Sequence, residues 1–281
     1  MDTRAVILQP AQVLAQLEPE FVPDCADFGR EFSRHCFNLR NLLPLVPSGG
    51  SVLDVGAGAG VMAAALKACG AEVTVVDSWR PYTDEAAASG ERFMHRMGSR
   101  EKILGRFGRM GIPAHELDIT AQPLPFPDAS FDMVMLLAVI EHLPGSPRRV
   151  LEEARRVLKP GGIMVIEAPN IAALRNRLAL LRGRSVHFAV DDWYRSEPFL
   201  GHYRELTRAE LGQYVVWLGL KPLWLRTSNT AFHNTRRADG RYDRGFRLNS
   251  LFQWCKAAYL LLCLPFPGLR YQILLAARKP N

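Results

Sequence analysis

Residues 52–60 read VLDVGAGAG, and this stretch decides the fold. The apolar segment SVLDV predicts a strand, and the segment GVMAAALKAC predicts a helix directly after it. Between them, Gly56 and Gly58 allow positive φ angles and let a ligand approach the backbone closely. A strand, a glycine turn and a helix in this order predict the ligand-binding start of an α/β domain.

The spacing of the glycines limits the kind of ligand. A dinucleotide fingerprint is G-x-G-x-x-G, and Val61 stands where its third glycine would be. This chain has G-x-G-x-G instead, with Asp54 two residues before the first glycine, and it has no G-K-[ST] motif for a triphosphate. A turn without phosphate-binding groups suits an adenosyl ligand that carries no phosphate.

Further strand and helix patterns follow the glycine turn. Apolar, β-branched runs predict strands at AEVTVVD, FDMVMLL, GIMVIEA, LKPLWLRT and RYQILLAARK. A helix is predicted from Pro147 to Leu158, stopped by Pro160-Gly161-Gly162, and a second one at TRAELGQYVVWLG, with Thr207 and Glu210 forming a capping box. Continuous apolar strands between helices indicate a buried parallel sheet in a doubly wound α/β fold, with helices on both faces.

The chain is expected to form a single domain over residues 1–281. Residues 1–50 are predicted to be a helical cap, in which Asp27 to Val46 form a helix that packs over the sheet. Residues 170–206 and 229–268 are predicted to be two insertions. Long excursions beyond a sheet usually shape a binding site, so we expect both to shape the site for a second substrate.

The charge distribution and the cysteine content argue against several classes of protein. The formal net charge is +7 and the pI is about 9.4, but the positive residues are spread along the chain, which favours a solvated surface over a nucleic-acid partner. The five cysteines include no C-x-x-C pair, which argues against a disulfide framework and a zinc site. A reducing, cytoplasmic location is expected, and MDTRAVILQP does not read as a signal peptide.

One apolar stretch, Ala257 to Leu269, is shorter than the ~20 residues that a membrane-spanning helix needs. It also contains Pro265 and Pro267. Two interpretations remain open for it. It forms either a buried helix and loop or, over residues 254–269, a weak contact with a membrane surface.

Two acids are candidates for binding an adenosyl group. Asp77 ends the second predicted strand, where a carboxylate can accept hydrogen bonds from both ribose hydroxyls, and Ser78 and Trp79 can line the adenine pocket. Asp118, in HELDIT, can accept from the adenine amino group while the backbone of Ile119 reads the ring. The competing interpretation is that the two aspartates only cap a helix or close a turn.

The ordered motifs VLDVGAGAG, TVVD, LDIT, PLPFPDASFDMVMLLAVIEHLP and ARRVLKPGGIMVIEAPN resemble class I S-adenosylmethionine-dependent methyltransferases, especially the small-molecule branch that includes ubiquinone-type enzymes. The resemblance covers roughly Asp27 to Leu220. It implies a seven-stranded sheet of order 3-2-1-4-5-7-6 with the last strand antiparallel, and S-adenosylmethionine as cofactor. The residues that it implies around the cofactor are Asp54, Gly56, Ala57, Gly58, Gly60, Asp77, Asp118, Ile119, Leu137 and Ala138.

Methyl transfer from a sulfonium needs alignment more than a covalent nucleophile, but a hydroxyl acceptor must also lose its proton, for which His is the usual base. Glu141 and His142 follow the fourth strand and are either catalytic or orient the loop. Some quinone O-methyltransferases carry E-x-x-x-E-H here and bind a divalent metal. This chain has Leu137 at the first Glu, so no metal is predicted.

His202 lies in GHYRELT, which resembles a segment of methyltransferases found with sugar and polysaccharide assembly. By that resemblance His202, Tyr203 and Arg204 face the acceptor. An ordered loop without a catalytic role is the alternative. His187, Trp193 and Tyr194 are weaker candidates on the same insertion.

The leading hypothesis is O-methylation of a small molecule or of a glycan or lipid-linked precursor. A nucleic-acid methyltransferase is less well supported, because AVIEHLP stands where amino-methylating enzymes of that class place an Asp/Asn-Pro-Pro-aromatic motif. A protein that binds S-adenosylmethionine without turnover is the remaining alternative.

Overall fold

We describe a computed structural model of the chain. The residues that it describes are 9–79, 97–195, 199, 201–229, 235–236, 242–243 and 251–281.

The described residues form a seven-stranded sheet of order β3-β2-β1-β4-β5-β7-β6. The strands are β1 Ser51–Val55, β2 Glu72–Asp77, β3 Ala114–Glu116, β4 Phe131–Leu137, β5 Leu158–Pro169, β6 Lys221–Ser228 and β7 Gln272–Arg278. A separate two-stranded pair joins Thr235–Arg236 to Tyr242–Asp243. The order is the one that the sequence motifs implied.

The strand directions confirm the predicted topology as well. The pairs β1–β2, β2–β3, β1–β4 and β4–β5 are parallel, with Val52 opposite Val73 and Leu53 opposite Val134. Strand β7 runs antiparallel to both of its neighbours, β5 and β6. The carboxyl ends of β1, β2, β4, β5 and β6 therefore meet at one edge, and β7 begins there.

The helices account for most of the remaining described chain. They are α1 Pro10–Phe21, α2 Ala26–Arg30, α3 Phe32–Leu42, α4 Val61–Ala68, α5 Arg100–Arg109, α6 Arg148–Val157, α7 Leu174–Leu181, α8 Val190–Arg195, α9 Arg208–Trp217 and α10 Leu251–Cys263. Short 3₁₀ turns lie at Leu43–Leu45, Ile140–His142 and Pro267–Leu269.

Helices cover both faces of the sheet, as predicted. Successive residues of β1 point to opposite faces, so Val52 joins one buried apolar cluster and Leu53 joins the other. Helices α1, α3, α4 and α5 belong to the first cluster, and α6 and α9 belong to the second. Burial on both faces explains why the strands read as continuous apolar runs.

The N-terminal cap is more divided than the sequence indicated. The single helix expected from Asp27 to Val46 consists of α2, α3 and the 3₁₀ turn Leu43–Leu45. Gly29, a poor helix former, lies just before the break between α2 and α3, and Pro44 lies within the 3₁₀ turn. Helix α1 precedes these elements and packs against α3 and α4.

The stop signal Pro160-Gly161-Gly162 was misplaced, because these residues belong to β5. Helix α6 ends at Val157, and β5 begins at the next residue. Gly161, at φ +75°, donates its N–H to the carbonyl of Lys279 at 2.9 Å, and the carbonyl of Gly162 accepts from Lys279 at 2.9 Å. The glycines thus shape an irregular strand start that extends the pairing with β7.

The predicted capping box is confirmed at the start of α9. The Thr207 hydroxyl accepts from the Glu210 N–H at 3.2 Å, and the Glu210 carboxylate accepts from the Thr207 N–H at 2.8 Å. The predicted insertion 170–206 contains α7 and α8, and the insertion 229–268 contains α10. The limits of both insertions stay predictions. Within the described part of the chain, no helix combines the length and apolar character needed to cross a bilayer.

Gly60→Ala should destabilise the fold. Gly60 has φ +81°, and a Cβ atom there would lie 2.2 Å from Cε1 of Phe107. Left-handed strain and overpacking together should lower the free energy of unfolding by about 2–4 kcal/mol, measured by urea denaturation. The control is Gly108→Ala in α5, where a Cβ meets nothing within 4 Å. Equal stabilities of the two variants would contradict the argument.

Candidate active site

The turn after β1 requires its glycines. Gly56, Gly58 and Gly60 have φ angles of +74°, +54° and +81°. A Cβ atom on Gly56 would lie 2.6 Å from Cγ2 of Val139. Gly56, Ala57 and Gly58 are partly exposed, whereas Gly60 is buried. The backbone of this turn is therefore open to a ligand on one side and closely packed on the other.

Side chains at the end of β2 hold the turn in place. Asp77 Oδ2 accepts from the Gly58 N–H at 2.8 Å, and Asp77 Oδ1 accepts from the Trp79 N–H at 3.3 Å. The indole Nε1–H of Trp79 donates to the Gly58 carbonyl at 2.9 Å. Trp79 is fully buried and packs on Phe107, so it supports the turn and does not line an open adenine pocket as the sequence suggested. Ser78 is partly exposed beside it.

Two carboxyl groups lie together beneath the turn. Asp54 is 3% exposed, and burial raises its pKa to about 8, with the negative charge of Asp77 adding to the effect. Burial also raises the pKa of Asp77, while hydrogen bonds from backbone N–H groups act in the opposite direction. A cationic ligand would favour the ionised form of both acids, and S-adenosylmethionine carries a sulfonium and an ammonium group.

Asp118 lies in the loop after β3, at the same edge of the sheet. Its Oδ1 atom accepts from the N–H and the hydroxyl of Thr120, at 2.9 and 2.6 Å. The Leu117 N–H donates to the Asp77 carbonyl at 2.9 Å, which joins this loop to the end of β2. The turn-closing role of Asp118 is therefore present. Contacts of Asp118 and Ile119 with adenine stay a prediction.

Strand β4 ends in a strained residue. Ala138 has φ +57°, which is unfavourable for a residue with a Cβ atom, and its N–H donates to the Glu167 carbonyl at 3.1 Å. Leu137 and Ala138 are partly exposed. Such strain is typical of functional sites, and here it redirects the chain into the 3₁₀ turn that carries Glu141 and His142.

The structure brings the three predicted catalytic residues together. The Tyr203 N–H donates to the Glu141 carbonyl at 2.7 Å, and His142 Nδ1 lies 3.2 Å from the Gly201 carbonyl. These contacts hold the GHYRE segment against the turn after β4. The rings of His142 and His202 pack edge to face with their centroids 4.8 Å apart.

Glu205 is a member of this cluster that the sequence analysis missed. Its Oε1 atom lies 2.8 Å from Nδ1 of His202. A carboxylate at Nδ1 of His202 and a carbonyl at Nδ1 of His142 both favour a proton on Nδ1, so Nε2 of His202 is left as an acceptor. The spacing of His202 and Glu205, three residues apart before a capped helix, was the available signal.

The cluster also contains buried carboxylate oxygens. Glu141 is 1% exposed, and burial raises its pKa to about 8. Among the described residues, Oε2 of Glu141 and Oε2 of Glu205 have no hydrogen-bond partner. Unpaired buried acceptors are costly, so these atoms are available to a polar ligand.

Ligand-capable atoms of Glu141, His142 and His202 all lie within 4.8 Å of one another. The sequence analysis predicted no metal because Leu137 stands where related enzymes have a ligand Glu. In the structure, His202 supplies a third ligand-capable group from a distant part of the chain. Imidazole and carboxylate donors suit several divalent metals. The absence of a metal stays a prediction.

A second polar network, also missed, lies beside the cluster. Glu167, at the end of β5, is 2% exposed and accepts from Arg34 Nε at 2.7 Å, from Asn38 Nδ2 at 2.8 Å and from Gln272. Arg34 and Asn38 belong to α3, which the sequence analysis treated as packing only. A carboxylate at the end of the apolar strand GIMVIEA was the signal that could have revealed it.

Aromatic residues of the 170–206 segment cover His202. Phe188 lies 5.0 Å from the His202 ring, and Phe199 lies 5.3 Å from Tyr203 and 4.6 Å from Trp193, all as centroid distances. Of these, Trp193 remains 57% exposed. The segment therefore places an aromatic wall next to the polar cluster.

Comparisons with known proteins agree with this geometry. Residues 53–166 match the family described as "Methyltransferase domain". A phosphatidylethanolamine N-methyltransferase of Cereibacter sphaeroides is 34% identical over 122 residues, covering 42% of this chain and 50% of that protein. A demethylmenaquinone methyltransferase of Clavibacter sepedonicus is 33% identical over 119 residues, covering 42% of this chain and 41% of that protein. The chain thus spans half or less of the length of these curated relatives.

A solved S-adenosylmethionine-dependent methyltransferase from Archaeoglobus fulgidus shares the fold, with a TM-score of 0.51 at 18% identity, over 89% of this chain and 94% of that one. The fold is therefore the doubly wound, Rossmann-like α/β fold of methyltransferases. Residues 53–166 are similar to the methyltransferase domain family, and this similarity implies S-adenosylmethionine as the cofactor.

Asp77→Asn should weaken the binding of S-adenosylmethionine. The amide has no charge and one acceptor oxygen, so hydrogen bonds to the ribose hydroxyls and to Gly58 cannot all form. Loss of one charge-assisted hydrogen bond should reduce affinity about 10–100-fold in calorimetry. The control is Asp192→Asn on α8, which is exposed and lies away from the turn. Unchanged affinity for Asp77→Asn would disprove the ribose assignment.

Asp54→Asn should flatten the pH dependence of stability. Because the pKa of Asp54 is raised from 3.8 to about 8, the folded chain keeps a proton that the unfolded chain has released between these values. Stability without cofactor should therefore fall as pH rises from about 4 to 8, and each unit of pKa difference is worth about 1.4 kcal/mol.

The Asn variant cannot ionise, so its urea midpoint should fall less between pH 5 and pH 8. Glu141 shifts in the same direction, so part of the slope should remain. Parallel pH profiles for the wild type and Asp54→Asn would show that Asp54 titrates normally.

Proposed function

We propose that the chain transfers the methyl group of S-adenosylmethionine to an acceptor bound at the cluster of Glu141, His142, His202 and Glu205. The observation that carries the proposal is their location. The cluster and the glycine turn both follow strands that end at the same edge of the sheet, where such folds bind their ligands.

The chemistry requires few reacting groups from the protein. The neutral thioether that departs when the C–S bond breaks is already a good leaving group. Holding the acceptor atom, the methyl carbon and the sulfur in line is worth about 7–11 kcal/mol of the barrier. In this proposal Asp54, Asp77 and the glycine turn bind the cofactor. Leu137 and Ala138 lie beneath its methyl group, and the histidine cluster orients the acceptor.

The acceptor atom is proposed to be a hydroxyl oxygen. Nε2 of His202 acts as the acceptor in the cluster, because Nδ1 of this ring is engaged by Glu205. A hydroxyl can donate its hydrogen bond to that atom and lose its proton as the methyl group arrives. Glu205 then stabilises the imidazolium form of His202, and the buried Glu141 fixes the other end of the polar cluster.

The substrate is proposed to be a small molecule or a glycan or lipid-linked precursor. Two relatives are named for a phospholipid and a quinone precursor, both of which combine polar and apolar parts. The aromatic wall beside His202 suits the same kind of acceptor. Exposed Trp254, Leu264 and Phe266 support weak contact with a membrane surface from the cytoplasmic side.

A nucleic-acid acceptor is not part of the proposal. Many arginines that give the chain its positive charge are already paired with carboxylates. These are Arg34, Arg100, Arg106, Arg109, Arg148, Arg156 and Arg204. Neutralised charges add little to phosphate-backbone binding.

The direct test incubates the purified chain with labelled S-adenosylmethionine and fractions of cell extract, followed by mass identification of the labelled product. A labelled glycan or lipid precursor supports the proposal. Cofactor binding without S-adenosylhomocysteine formation in any fraction would indicate a binding protein without turnover.

His202→Ala should lower turnover and leave cofactor affinity unchanged. Loss of a positioned general base typically costs about 10²–10⁴-fold in rate. Single-turnover kinetics on the identified acceptor would measure the effect, and calorimetry would measure cofactor binding. His187→Ala, at the exposed and weaker candidate on the same insertion, should have a much smaller effect.

Equal rates for His202→Ala and the wild type would remove His202 from the mechanism. Rates measured after dialysis against a chelator would test the prediction of no metal, since a metal-free site keeps its activity.

A further inference from the structure

A pocket with several arginines lies at the end of the edge strand β6. Its volume is about 410 Å³, and Arg40, Arg208, Arg226 and Arg270 line it together with Thr227. We call it the arginine pocket. Its walls come from α3, the first turn of α9, β6 and the segment after the 3₁₀ turn Pro267–Leu269.

The positive charge of this pocket is not compensated by the part of the chain that the structure describes. Among the described residues, no carboxylate lines the pocket, and none of its four arginines forms an ion pair. Arg226 donates to the Asn41 amide oxygen and stacks on Trp224, and Arg270 donates to backbone carbonyls, including Thr227 at 3.2 Å. These contacts fix the guanidinium groups and leave their charge in place.

Two buried polar atoms of the lining residues lack partners. Among the described residues, neither Arg208 Nε nor Thr227 Oγ1 has a hydrogen-bond partner, and Thr227 is only 7% exposed. Leaving such groups unpaired is unfavourable. Both atoms can donate a hydrogen bond to an anion.

Tetrahedral oxyanions match this set of donors. Guanidinium groups bind phosphate through paired N–H donors, and their charge does not depend on pH in the working range. We propose that the arginine pocket binds a phosphate group carried by the methyl acceptor. This inference rests on the proposed function, because it assigns the acceptor to the class of phosphorylated compounds.

The position of the pocket supports this assignment. Strand β6 is parallel to β4, so Thr227 lies at the same edge of the sheet as Glu141 and His142. Hydrogen bonds from Ser228 to Gln272, and from Gln272 to Glu167, run along the edge between the two sites. Three strand spacings separate β4 from β6, so the phosphate and the methylated atom should be about 14 Å apart.

An exposed apolar surface borders the pocket. Leu264 and Phe266 are 59% and 54% exposed, and they directly precede Pro267 in the pocket wall. A positively charged pocket next to an apolar surface suits a ligand in which a phosphate is attached to an apolar chain. The same phosphate chemistry also occurs in soluble sugar phosphates, and the experiment separates these sources.

Binding of inorganic phosphate and glucose 1-phosphate to the full chain is measured by calorimetry at fixed ionic strength. Arg40→Gln combined with Arg208→Gln should weaken both by about tenfold or more, because charge-assisted hydrogen bonds are lost. The charge-matched control, Arg149→Gln with Arg278→Gln, removes two exposed arginines outside the pocket and should leave both affinities unchanged.

Thr227→Val separates ligand binding from a structural role. Removing a buried hydroxyl without a partner should not lower the melting temperature, but it should weaken phosphate binding. No phosphate binding by the wild type, or equal binding by wild type and the Arg40/Arg208 variant, would overturn the proposal.

Vesicles identify the source of the phosphate. If the wild type sediments with phosphatidylcholine vesicles that contain phosphatidic acid and the Arg40/Arg208 variant does not, the phosphate is carried by a lipid. Binding of glucose 1-phosphate without vesicle binding supports a soluble acceptor.

The two proposals fail differently. If cofactor binding and methyl transfer hold while phosphate binding fails, only the arginine pocket is wrong. If phosphate binds in the pocket and no acceptor is methylated, the proposed function is wrong.

Discussion

The hydrogen bond from the Gly58 N–H to Asp77 is the contact on which the site depends. It joins the turn after β1 to the end of β2, and Trp79 holds the same residue through its indole N–H, which donates to the Gly58 carbonyl. Because Gly56, Gly58 and Gly60 all have positive φ, the turn keeps this shape only where no side chain intervenes. The cofactor side of the sheet is therefore preorganised before a ligand arrives.

The proposed acceptor site depends on a contact between segments about 60 residues apart. The turn that carries Glu141 and His142 is held by the backbone of Gly201 and Tyr203. This contact gives His202 and Glu205 a place in the cluster. Two buried carboxylate oxygens of the cluster, Oε2 of Glu141 and Oε2 of Glu205, lack partners among the described residues, so a ligand that donates hydrogen bonds would stabilise it.

Much of the fold followed from local patterns. The bounds of β1 and β4 agree with the apolar runs SVLDV and FDMVMLL, and the Thr207 capping box has its expected partners. One prediction failed because a local pattern was overridden by a long-range contact. Pro160-Gly161-Gly162 reads as a helix stop, but pairing with β7 draws these residues into β5, and the partner strand lies more than 100 residues away.

The sequence by itself determined the glycine turn and the acid Asp77 at the end of the second strand. These features depend on residues close in the chain, where φ preferences and periodicity are readable. The strand order was implied by the resemblance of the ordered motifs to a known family. Tertiary structure alone decided that His202 meets His142, that Arg34 pairs with Glu167, and that four arginines converge beside Thr227. Those contacts join distant segments, and no local pattern records which surfaces the packing of the core will bring together.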